Sequence, residues 1–245
     1  GEGWSDYFAL MMTTDWNTAV KGDSSKAFPI GNYAAGLTQT YGGIRSYPYS
    51  KSFAIDPWTY DSLKVDTAVH EYSAADQASI YYTGEVWCSA LWDMTWNLIA
   101  SEGINKTFFK ATKAGGNTTA MKLVIQGMKL QKCSPGCVDA RNGILAADTL
   151  LYGGSHGQQI WKAFARRGLG YSAKQGLNTK IKDGTAAYDL PPGMSFTNTT
   201  ISAEEVKAPV NKPLVQLMPN PAKDYVAINV KGNTAKLMVQ IISEG

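Results

Sequence analysis

The stretch from residue 83 to 101 limits the fold more than any other part of the chain. Val86, Leu91, Met94 and Leu98 alternate with Trp87, Trp92 and Trp96, so the segment is apolar around most of a helical circumference. Such a helix has no face fit for water and must be enclosed by other elements. The chain is therefore expected to be mainly α, with this helix in its core and Gly103 closing it. Apolar residues at helical spacing predict four further helices, at 4–20, 117–132, 137–152 and 156–167. Trp4, Phe8, Met11, Met12 and Ala19 make the stripe of the first, and Lys21-Gly22-Asp23-Ser24-Ser25 ends it. Gly153-Gly154 and Gly168 end the last two.

Between these helices, residues 22–78 form a long irregular stretch carrying Gly42-Gly43, Tyr47-Pro48 and Asp56-Pro57. Irregular chain of that length in a compact domain usually lines a functional surface. Composition changes near Pro191-Pro192-Gly193. Residues 1–193 are read as one helical domain, 194–213 as a linker and 214–245 as the beginning of a β module. In that module Val226, Ile228 and Val230 alternate after a Pro-Asn-Pro turn, and Leu237–Ile242 is a second strand candidate.

A net charge of +3 argues against a nucleic-acid partner, and no apolar run is long enough to span a bilayer. The chain has no start Met and no leader, so it is expected to be a fragment beginning elsewhere. Its many tyrosines and low charge suit an extracellular protein. Cys133 and Cys137 flank Ser-Pro-Gly and could close a short loop, while Cys88 lies in an apolar helical pattern and reads as a buried thiol. A zinc site from these three is not expected, because neither histidine lies near the pair.

Gly1-Glu2-Gly3-Trp4-Ser5-Asp6 opens the first helix. Glu2 and Asp6 fall one turn apart on one face. On spacing alone they are acidic first-turn residues complementing the macrodipole, with Ser5 as a local cap. The alternative is that one carboxylate takes a metal while the other fixes a neighbouring ligand.

Several motifs tip that balance. Gly1-Glu2-Gly3-Trp4-Ser5-Asp6-Tyr7-Phe8 resembles the third-ligand motif of fungalysin-type zinc metalloproteases, peptidase family M36, which share the thermolysin-like architecture. Gly42-Gly43-Ile44-Arg45, Tyr47-Pro48-Tyr49-Ser50, Gly84-Glu85-Val86-Trp87, Ala140-Arg141 and the run Trp161 to Gly170 look like the same family in the same order, over roughly residues 1–193. The resemblance implies a secreted metalloendopeptidase acting on protein or peptide substrates. This chain would then be the helical C-terminal lobe, with Zn2+ in a cleft facing an N-terminal lobe outside this sequence. Glu2 would be a zinc ligand, and Asp6 would orient a ligand histidine. Two further ligands and the general base would come from a His-Glu-x-x-His helix. That string is absent here, so the chain is expected to be inactive alone. His70-Glu71-Tyr72-Ser73-Ala74 begins like it but has Ala74 where the second histidine belongs, and His70 reads as a loop residue. His156 is read as capping or packing at a helix start.

One departure bears on mechanism. The family places an oxyanion-stabilising histidine where this chain has Tyr81, whose phenol can donate a hydrogen bond but carries no positive charge. Arg45 either assists the substrate carbonyl or holds the Tyr-Pro-Tyr loop by an ion pair. Glu85 either orients Tyr81 or is a charge at a helix N-terminus, and Asp93 and Asp148 are mid-helix acids without an evident partner. The rival reading is a non-catalytic binding or scaffold protein retaining the protease fold. Leu217-Met218-Pro219-Asn220-Pro221-Ala222 looks like the start of the sorting domain of the bacterial type IX secretion system, implying export from a Bacteroidetes-like bacterium. A generic β-sandwich appendage is the alternative.

Overall fold

The computed structural model describes residues 1–36, 42–64, 75–110, 114–196, 214–218 and 227–231, with the backbone alone at 75–79, 214–218 and 227–231. It contains two units, Gly1–Thr197 and Asn198–Gly245.

In the first unit, helices α1 (Glu2–Thr13), α3 (Gly116–Leu130) and α5 (Gly157–Arg166) pack against α2 (Ala75–Glu102), and α4 (Cys137–Tyr152) packs on α3 and α5. Val86, Leu91, Trp92, Met94, Trp96 and Leu98 of α2 are all buried, as the all-round apolar pattern requires. α1 lies against one side, and Trp16 and Phe28 close tilted and edge-on against Trp92 and Trp96, at centroid distances of 5.0–6.1 Å. α3 and α5 cover other sides, and α3 pairs with α4 at a close approach of Gly127 to Ile144.

Two helix boundaries differ from expectation. α1 stops at Thr13 rather than near 20. The Thr13 and Thr14 hydroxyls turn back onto the Ala9 and Leu10 carbonyls at 2.7 Å, and the Asp15 carboxylate then captures the Asn17 amide and Thr18 hydroxyl in a turn. Trp16 and Ala19 are buried from that turn, which is why they fit the helical stripe without being helical. Nor is Ser5 a cap: Gly1 holds the N-cap position, and its carbonyl accepts the Trp4 and Ser5 amides. α2 begins at Ala75, inside the stretch read as irregular, so Tyr81 and Glu85 sit within the helix rather than at its entry. Short 3-10 turns at Lys21–Ser25 and Tyr60–Lys64 are the other regular pieces of that stretch among the described residues.

Cys133 and Cys137 are free thiols. In the second unit β1 (Leu214–Met218) pairs antiparallel with β2 (Ala227–Lys231), Leu214 opposite Lys231 and Met218 opposite Ala227. The predicted strand Leu237–Ile242 lies outside the described residues.

Candidate metal-site lobe

The site grows from the crossing of α1 and α2. A Cβ on Gly3 would meet the Gly84 carbonyl oxygen at 2.4 Å, and one on Gly84 would meet the Gly3 amide nitrogen and the Glu2 Cβ at 2.8 Å. Glycine at both positions lets the two backbones touch, which brings Glu2 up against α2 next to Glu85.

Arg45 reaches this crossing from the loop. Its Nε and Nη2 bond the two oxygens of Asp6 at 2.7 and 2.6 Å, a bidentate fork, and Nη2 also lies 3.3 Å from Glu2 Oε2. The Tyr49 hydroxyl donates a short hydrogen bond to Asp6 Oδ2. Burial holds the Tyr49 phenol well above its ordinary range, with Cys88 and Asp6 adding to the effect, so it stays a donor. Burial also opposes the charge on Arg45, but the Asp6 hydrogen bonds and charge override it and hold the guanidinium above its ordinary value. The side chains of Asp6 and Arg45 are 4% and 7% exposed and that of Glu2 is 37% exposed, so Glu2 alone of the three presents its carboxylate outward.

Glu85 is buried on α2. It accepts hydrogen bonds from the Ser46 amide at 3.2 Å, the Ser46 hydroxyl at 3.3 Å and the Trp58 indole at 2.9 Å. It therefore fixes the residue next to Arg45 rather than orienting Tyr81, and it is not a helix-terminal charge. Tyr81 is 41% exposed, and its ring centroid is 5.0 Å from the Arg45 guanidinium carbon. Arg45 is thus engaged with Asp6, Glu2 and Tyr81. The ion pair proposed for it goes to α1, and the Tyr47–Tyr49 segment is held at the same place through Tyr49.

Burial pushes the Glu85 carboxyl above its ordinary value, while Trp58, Ser46 and Arg45 act against the rise. A carboxyl whose folded pKa exceeds its unfolded one binds more protons in the folded state. Its contribution to stability therefore falls as pH rises from the unfolded pKa through the folded one. Glu85→Gln removes that titration. The stability of the parent relative to this variant is expected to decline as pH rises from the ordinary carboxylate range through the raised value, read by urea unfolding at a series of pH values. A difference that grows with pH contradicts the assignment.

Other sequence-predicted residues lie elsewhere. His156 is held between two carboxylates, Nδ1 2.7 Å from Asp148 and Nε2 2.9 Å from Glu102, which gives Asp148 its partner. Asp93 pairs with Arg166 and Arg167. His70 and Glu71 are outside the described residues. Sequence reading passed over Tyr49, Ser46 and Trp58 as site residues. A serine after Arg45, a tyrosine after Pro48 and a tryptophan after Pro57 were visible in the irregular stretch, but nothing in their spacing names their acidic partners.

Glu2 and Asp6 share the Arg45 guanidinium, and Glu2 keeps its carboxylate partly open to solvent. One exposed carboxylate is an oxygen donor of the kind a divalent cation accepts. Glu2 fits as a single ligand. Among the described residues no group of three or more His, Cys, Asp or Glu side chains converges.

The helical unit thus carries an acidic pair at the start of α1, with Asp6 buried and Glu2 partly exposed. The chain belongs to the fungalysin metallopeptidase (M36) family, whose profile matches residues 1–173. It is 40% identical over 202 residues to an extracellular metalloproteinase of Neosartorya fischeri, covering 79% of this chain and 28% of that protein. An extracellular metalloproteinase of Aspergillus flavus is 40% identical over 189 residues, covering 74% and 26%. Extracellular metalloproteinase 10 of Coccidioides posadasii is 36% identical over 184 residues, again covering 74% and 26%. These relatives are fungal, and the match spans about a quarter of their length. Among the described residues no helix is long and apolar enough to cross a membrane.

Proposed function

We propose that this chain is the C-terminal lobe of a secreted zinc metalloendopeptidase. The observation that carries the reading is the Glu2–Asp6 pair, with Glu2 open at the start of α1 and Asp6 locked beneath it by Arg45 and Tyr49. Glu2 would hold the metal, and Asp6 would orient a histidine ligand supplied by a His-Glu-x-x-His helix outside this sequence. A zinc ion so held supplies a water of lowered pKa and polarises the scissile carbonyl. The phenol of Tyr81 would donate to the oxyanion, and Arg45 beside it would supply the positive charge that a histidine would otherwise bring. Alone the chain would be inactive. Two lobes flanking the metal would take an extended stretch of protein substrate.

The test is cleavage of an unstructured protein by the full-length product. Activity should be lost to a zinc chelator and fall at least about a hundredfold in Glu2→Ala. Full activity in Glu2→Ala removes Glu2 from the site. The tyrosine at the position of the family histidine favours a second reading, a non-catalytic binding protein that keeps the protease fold. Zinc bound without any cleavage would support it.

The tail supports a finer proposal. Pro219-Asn220-Pro221-Ala222 stands between β1 and β2. We assign this β module to sorting by a bacterial type IX system, although the matched relatives are fungal. Unchanged export from a type IX-competent bacterium after deletion of residues 214–245 would contradict this.

A further inference from the structure

The chain carries three acceptor sequences for asparagine-linked glycan: Asn105-Lys106-Thr107, Asn117-Thr118-Thr119 and Asn198-Thr199-Thr200. Such sequences ordinarily mark surface loops of secreted proteins. The first two do not. Asn105 is 2% exposed and Asn117 is 0% exposed. The third lies outside the described residues.

The two buried amides clamp each other across the loop that joins α2 to α3. The Asn105 amide donates to Asn117 Oδ1 at 2.9 Å, and Asn117 Nδ2 donates back to the Asn105 carbonyl at 3.0 Å. Asn105 Nδ2 donates to the Thr118 hydroxyl at 3.0 Å. The hydroxyls that complete the two sequences are also engaged, exposed Thr107 with Asn105 Oδ1 at 3.1 Å and buried Thr119 with Glu102 at 2.7 Å. The surroundings have no slack. A Cβ on Gly115 would lie 2.4 Å from the Asn105 amide nitrogen, and one on Gly116 would lie 2.2 Å from the Ile99 amide nitrogen. A place that cannot admit a methyl group cannot admit a sugar on the neighbouring carboxamide.

We propose that glycan transfer to Asn105 or Asn117 and folding of this chain exclude each other, so the chain must complete this loop before any asparagine-glycosylating enzyme reaches it, or meet none. In the transfer, Nδ2 of the carboxamide forms a bond to the sugar's anomeric carbon. The bond from that carbon to the diphosphate of a lipid-linked donor breaks, and Nδ2 gives up one proton. The modified nitrogen then carries a bulky group where the folded loop requires a buried donor. Both sequences are fully usable while the chain is unfolded, because each then has a free asparagine and a free hydroxyl. The constraint falls on biosynthesis and does not depend on the zinc reading above.

The experiment sends the chain through the secretory pathway of yeast, with and without an inhibitor of glycan transfer, and maps glycan sites by mass spectrometry in the secreted and retained pools. The secreted, protease-resistant chain is expected to carry no glycan at Asn105 or Asn117, whatever happens at Asn198. Glycan at one or both should appear in the retained, aggregated pool, and blocking transfer should raise the secreted yield severalfold. The Thr107→Val/Thr119→Val double variant should gain secreted yield in yeast relative to its own yield in a bacterial cytoplasm, which separates glycan relief from the lost hydroxyl bonds. A folded, secreted chain bearing glycan at either asparagine overturns the proposal. So does a retained pool free of glycan at both positions with no gain in yield when transfer is blocked.

Discussion

Arg167→Met is expected to destabilise the helical unit by about 3–5 kcal/mol, because it leaves buried Asp56 without a counter-charge and buried Asp93 with Arg166 alone. Arg167 is fully buried at the end of α5. Its Nε and Nη2 each lie 3.1 Å from an oxygen of Asp93, and Nη1 lies 3.4 Å from Asp56 Oδ1. The same guanidinium donates to the carbonyls of Ser50, Asp56 and Trp58. Methionine fills similar volume but satisfies none of these acceptors. Burial already pushes the Asp56 carboxyl above its ordinary value against the pull of Arg167, so removing the arginine leaves that group worse placed. In thermal unfolding the loss corresponds to roughly 10 °C for a unit of this size. A loss below about 1 kcal/mol would show that the cluster contributes little net stability, as happens where desolvation offsets attraction. The cluster also bears on the site, because it anchors the loop between Tyr49, which holds Asp6, and Trp58, which holds Glu85.

Arg45→Met carries the second large effect, also about 3–5 kcal/mol. Asp6 would keep the Tyr49 hydroxyl but lose both guanidinium bonds while remaining buried. Arg45→Lys retains charge but not the planar fork, and should fall between parent and Met variant. Asp6→Asn in the Arg45→Met background removes the stranded charge and should recover part of the loss, which a double-mutant cycle by urea unfolding reads directly. An Arg45→Met protein as stable as the parent would contradict the buried pair.

The helical body was legible because helical periodicity is local. The apolar circumference of α2 predicted its burial, and the glycine stops placed the ends of α2, α4 and α5 within a few residues. The end of α1 was not legible, since Trp16 and Ala19 are buried from a turn and continue the stripe. The start of α2 was missed because no apolar pattern marks residues 75–82, where Ala75, Gln77 and Ala78 suit a helix by propensity alone. The charge partners were least legible. Asp93 meets Arg167 across 74 positions and Asp6 meets Arg45 across 39, and no local rule connects such residues. The acidic pair of α1 was visible at once, but the metal role proposed for it rests on the order of motifs rather than on spacing. The glycines at 3 and 84, each part of a separate motif, belong to one crossing.

The central claim is that Glu2 ligates a catalytic metal. Its most direct test is the zinc content of the purified full-length product, with Glu2→Gln compared against the parent at equal free zinc. The account predicts about one zinc per parent molecule and affinity weakened at least tenfold in the variant, with the helical unit still folded by circular dichroism. A Glu2→Gln protein that holds zinc as tightly as the parent would contradict it.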